Sequence, residues 1–180
     1  MTDRAPRVGD GPGRPWLIAA AGLSALAALL HIGVILGGPS WYRFFGAGEE
    51  MAQAAERGSA MPALVTAGIA TMLLVWALYG LSGAGAIRRL PLLRTALMLI
   101  AAIYLLRALA LVPLLLLKPR LVDSFAVWSS LIVLVYGLTY AVGTWRAWPR
   151  LRPHRKRGPG VPVGQDLVGD DGLEPPTSSV

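Results

Sequence analysis

The chain has 180 residues, of which 54% are hydrophobic and 15% charged, with a formal net charge of +7. Apolar runs near twenty residues mark membrane spans rather than a soluble core, and this length leaves room for one helical bundle but not for a second domain of ordinary size. The absence of cysteine excludes disulfides, thiolate metal sites, iron–sulfur clusters and a cysteine nucleophile. The basic residues, which would point to nucleic acid in a soluble protein, sit at the ends of apolar runs, where membrane orientation explains them.

Residues 1–15 are rich in Gly, Pro and Arg without hydrophobic periodicity, and the sequence predicts a disordered segment there. The first span is expected over about 16–37, since some twenty residues rising about 1.5 Å each cross a hydrocarbon core of about 30 Å. A signal peptide would have a shorter apolar stretch and a soluble remainder, and neither is present. Gly33 and Gly37 form a G-x-x-x-G pair that lets a helix backbone approach closely. The first loop carries Trp41, Tyr42, Phe44 and Phe45, read as a headgroup-level anchor. A short interfacial helix is expected from about Ala47 to Glu56, with Glu49 and Glu50 in its first turn.

The second span, about 62–81, opens at Pro62, and a glycine-rich basic hairpin with Arg88 and Arg89 leads to the third, about 95–117. Pro113 is expected to kink the third span. The fourth span, about 124–145, closes a transmembrane unit over 16–148. Residues 149–180 form a tail, first basic and then, from Gly158, disordered by composition. Its ending, with Gly172, Leu173, Glu174 and Pro175, resembles the product of a reading frame that crosses a transfer-RNA gene on the opposite strand, and is read as a spurious extension.

Arg4, Arg7, Arg14, the Arg88 hairpin and the cluster through Arg157 fall on one side of the membrane, against Arg43, Arg57, Lys118 and Arg120 on the other. The positive-inside rule then places both termini in the cytoplasm. The fold class expected is an all-α, integral membrane four-helix bundle, N-in and C-in, with an interfacial helix in the first extracytoplasmic loop. The 150–157 segment is expected to touch anionic lipid.

Arg107 is the only formal charge within the four spans, and a guanidinium at bilayer depth costs roughly 2.5 kcal/mol or more. Its depth of about 15 Å from the outer boundary matches that of Thr71 and Tyr136, with His31, Thr66 and Ser129 nearer the outside. Ser24, Ala27, Ala28 and His31 share one helical face, as do Ser129, Tyr136, Tyr140 and Gly143, and faces of small and hydroxyl-bearing residues are the packed ones in lipid.

Three readings of Arg107 follow. It stacks on Tyr104 and bonds interior hydroxyls and carbonyls; or it binds an anionic headgroup or small acid in an outward-facing pocket, with Glu49 or Glu50 as lid; or it meets another subunit, in a homo-oligomer or a membrane complex. No intramembrane carboxylate pair or Ser, His and acid trio supports catalysis, no metal or cofactor is expected, and a haem would need His31 from two subunits.

The strings GPSWYRFFGAGEEMAQ, GLSGAGAIRRLPLLR and YLLRALALVP resemble those of a small four-span bacterial inner-membrane family with no assigned activity. The resemblance covers about 16–148 and implies fold and location only. The function expected is that of a non-enzymatic accessory or structural membrane component, with a small transporter or receptor for an anionic or lipid-like ligand as the alternative.

Overall fold

The computed structural model describes residues 11–118, 122 and 124–151. Among them lie seven helices and no strand: α1 Arg14–Gly37, α2 Pro39–Phe44, α3 Glu49–Glu56, α4 Met61–Gly83, α5 Leu93–Leu109, α6 Leu111–Leu117 and α7 Ser124–Ala147. Four segments are long and apolar enough to cross a membrane, α5 and α6 together making one of 25 residues. The chain is a multi-pass membrane protein built as a four-helix bundle. The expectations for residues 1–10, for the basic segment past Leu151 and for the unusual ending lie outside the described residues.

Local chemistry sets the element ends. Proline stands in the first turn of α1, α2 and α4, where its missing N–H costs no helical bond. Gly38 leaves α1 at φ +67°, a left-handed conformation that favours glycine. Pro113 cannot return an N–H to the Leu109 carbonyl and its ring crowds that oxygen, so the third span breaks at Ala110, between α5 and α6. Beyond α4 the chain reverses through Gly85, and Ser82 clamps the hairpin. Its Oγ donates to the Arg88 carbonyl at 3.0 Å and accepts the Leu90 N–H at 2.9 Å.

The bundle is assembled from two helix pairs, α1 with α4 and α5 with α7. Close approach needs small residues because lipid offers helices no hydrophobic reason to associate. A Cβ at Gly80 would lie 2.9 Å from that of Ala21, and one at Gly137 would lie 2.8 Å from Leu105. The pairs are joined at the end carrying Gly13 and Ala147, called here the basic end, where Leu17 packs between Gly83 and Gly143.

At the opposite, loop end, Val34, Tyr42 and Ala52 make a small core of their own, with Phe45 and Met51 against it. Only Trp41 and Phe44 of the expected aromatic anchor are exposed, whereas Tyr42 is buried. The Trp41 ring lies across Gly37 and comes within 3.4 Å of a Cβ built at Gly33. The G-x-x-x-G pair therefore receives a tryptophan of the same chain.

Candidate functional site

The four long helices converge on a buried cluster of hydroxyls and rings. Ser24 of α1 and Tyr140 of α7 are both 0% exposed, and Tyr104 of α5 is buried beside them. The Ser24 hydroxyl lies 3.1 Å from the Tyr104 hydroxyl and 3.1 Å from that of Tyr140, which in turn donates to the Trp76 carbonyl of α4 at 2.9 Å. The terminal carbonyl can only accept, and this fixes the polarity of the chain: Tyr104 donates to Ser24, Ser24 to Tyr140, and Tyr140 to Trp76.

Aromatic packing surrounds that line. Tyr104 meets Trp76 edge-on at 4.9 Å, Tyr136 edge-on at 5.5 Å, and Tyr140 in a stacked arrangement at 5.8 Å. Each such pair contributes about 0.5–1.5 kcal/mol beyond burial. Every hydroxyl in the line has a partner, so the cluster satisfies itself. It works as a latch that holds α1 and α4 to α5 and α7.

The residues expected around Arg107 do not gather on it. Tyr104 and Tyr136 belong to the latch. His31 is half-buried and donates from Nδ1 to the Ala27 carbonyl of its own helix at 2.7 Å. Thr71 is exposed and returns its hydroxyl to the Ala67 carbonyl, and Ser129 does the same with Ala126. Each of these three donates to a carbonyl one turn back on its own helix, which holds its side chain against that helix and away from Arg107.

Arg107 itself is exposed and makes no hydrogen bond, ion pair or ring contact among the described residues. It shares an edge of α5 with Ile103, one turn earlier and also exposed. On the neighbouring helix, the stripe that begins with Trp76 continues through Met72, Ile69 and Val65, all exposed. The α4 and α5 helices meet at Trp76 and Tyr104, and toward the loop end this stripe stays uncovered. Arg107 stands on this exposed α4–α5 face, and not in an interior pocket.

Glu49 does not serve as a lid. Both its oxygens take Arg43, at 2.9 and 2.8 Å, and Glu56 takes the other guanidinium nitrogen at 2.7 Å. These hydrogen bonds hold both carboxyls below the ordinary glutamate range and raise the Arg43 guanidinium above its own. Glu50 is exposed beside them. Arg43 lies in the same water-facing loop, and a nearby exposed cation wins over one at bilayer depth.

The basic end carries interactions that sequence reasoning passed over. Arg94 lies over the Trp148 ring at 4.4 Å and donates to the Trp148 carbonyl at 2.9 Å, tying the start of α5 to the end of α7. Arg146 stands 5.5 Å from the Trp16 ring. A basic residue facing a tryptophan of an adjacent span end was the available signal. No protein-family model, curated protein or solved structure matches the chain.

Proposed function

We propose that this chain is a non-enzymatic accessory component of a bacterial cytoplasmic membrane, with both termini inside, that docks a helix of another membrane protein on the exposed α4–α5 face. The observation that carries the reading is Arg107, exposed at bilayer depth with no partner among the described residues. Such a cation is costly to leave against lipid and is normally paired. That face is otherwise apolar, carrying the exposed Val65, Ile69, Met72 and Ile103. A transmembrane helix bearing one carboxylate complements it in shape and charge.

A second copy does not. The four spans contain no Asp or Glu, and a homodimer through this face would set one Arg107 against another. The likeness of the loop and hairpin strings to a four-span inner-membrane family agrees with the location, as does the concentration of arginine at the basic end. The self-satisfied latch at the bundle centre favours a static scaffold over a transport path. Basic residues around Arg150 add attraction to anionic lipid.

The test places a photo-crosslinking residue at Ile103 in the native membrane. The expected product is a crosslink to one protein with an intramembrane carboxylate, abolished by Arg107→Leu and by neutralising that carboxylate, while the level of the variant stays the same or rises. Crosslinks unchanged by Arg107→Leu would refute docking through the guanidinium. Co-purification of a small acid or lipid that depends on Arg107 would instead support the receptor alternative.

A further inference from the structure

The basic end holds a cavity of about 220 Å³ whose lining includes Gly11, Ser82, Arg14, Arg89, Arg146 and Arg150. It lies where the start of α1, the end of α4 and the end of α7 come together, the chain segments being held by Arg89, which donates to the Arg150 carbonyl. The Arg150 guanidinium itself lies across Gly11, in space that a Cβ there would need. The acidic residues among those described are Glu49, Glu50 and Glu56, all at the other end of the molecule. No described carboxylate thus answers Arg146 or Arg150.

We propose that this recess binds the phosphate of an anionic phospholipid headgroup. Planar guanidinium forks match phosphate oxygens in pairs, and several converging on one concave site select a phosphate over diffuse negative charge. The volume is below that of a drug-sized pocket and suits a headgroup. Trp16 and Trp148 lie beside Arg146 and Arg94 at this same end, and tryptophan rings settle at headgroup level. The recess therefore sits at the depth where lipid phosphates are found, which favours a lipid over a soluble source. The proposal concerns the end of the bundle remote from Arg107 and stands independently of the docking face.

Native mass spectrometry of the full chain released from nanodiscs of phosphatidylglycerol and phosphatidylcholine tests it. The wild-type protein is expected to retain phosphatidylglycerol selectively. Arg146→Gln and Arg150→Gln should each lower that retention by about tenfold or more, the loss for a charge-assisted hydrogen bond. Arg88→Gln removes a charge from the same end outside the recess and should lower it by about fivefold at most, the effect of delocalised attraction. Arg146→Lys and Arg150→Lys keep the charge without the fork and should fall between, which separates recognition from misfolding. Equal losses for all three glutamine variants, or no selectivity for phosphatidylglycerol, would overturn the proposal. Displacement of the lipid by millimolar inorganic phosphate would overturn the lipid as the source.

Discussion

The latch makes a quantitative prediction about how the helix pairs are held together. Tyr140→Phe keeps the ring and its stacking on Tyr104 but removes the hydroxyl that accepts from Ser24 at 3.1 Å and donates to Trp76 at 2.9 Å. The Trp76 carbonyl retains its intrahelical bond, so the loss is confined to two side-chain hydrogen bonds. In membrane proteins such bonds average about 0.6 kcal/mol and reach about 1.7, which gives an expected cost of about 1–2 kcal/mol. Ser24→Ala also removes two bonds, one of them shared with Tyr140, and should cost a similar amount.

Because one bond is common to both variants, the double variant should be less destabilised than the sum of the singles by roughly 0.6–1.7 kcal/mol. Reversible unfolding in mixed micelles, titrated with a denaturing detergent and followed by tryptophan fluorescence, reads all four corners of the cycle. Tyr104→Phe should couple to Ser24→Ala in the same way. Effects that add to within about 0.3 kcal/mol would show the residues to be independent and would refute the latch.

Two further outcomes follow from the packing and the loop. Gly80→Ala places a methyl 2.9 Å from the Ala21 Cβ and 3.2 Å from the Leu17 carbonyl oxygen, whereas Gly68 has nothing within 4 Å. The first should lose about 1–3 kcal/mol to overpacking, offset by helix propensity of about 1, and the second should gain up to that 1 kcal/mol; both are read in the same unfolding assay. At the loop end, Glu49 and Glu56 are held ionised by Arg43. Their contribution is complete above the ordinary glutamate pKa and is lost as pH falls through their lowered values, so the α2–α3 segment should loosen only in acid below about pH 4. Hydrogen exchange at Ala52 and its neighbours measures this, and loosening between pH 5 and 7 would assign it to another group.

Hydropathy alone revealed the four spans, because in lipid the length of an apolar run is set by the solvent and not by tertiary contacts. It did not tell which face packs, since both faces of a span are apolar. Small and hydroxyl-bearing residues carried that information in part. Ser24, Ala28, Tyr140 and Gly143 lie on packed surfaces, but in α7 ahead of Tyr140 the buried positions are Ser130 and Gly137, one residue beyond Ser129 and Tyr136. A slip of one residue turns a helix by about 100°, and a tyrosine outranks a glycine only while side-chain polarity is the guide.

Arg107 shows a different limit. Charge at bilayer depth fixes that a guanidinium needs a partner, not which side of its helix the partner occupies. The face that α5 turns inward decided that, with Tyr104 held in a latch whose last acceptor is a backbone carbonyl with no trace in the sequence. The second short helix of the loop is hidden for a related reason: by sequence Tyr42 reads as a membrane anchor because aromatic residues at span ends usually are, and its burial depends on Val34 and Ala52 meeting it.

The environment of Arg107 is the most direct point of attack. The chain has no cysteine, so Arg107→Cys and Ile103→Cys can each be labelled with a single nitroxide in nanodiscs and their collisions with oxygen and with a water-soluble nickel chelate compared. A lipid-facing edge predicts strong relaxation by oxygen and little by nickel at both positions. Strong nickel relaxation at position 107 would mean a water-filled pocket, and weak relaxation by both agents would mean an interior arginine; either result would contradict a docking face for another protein's helix.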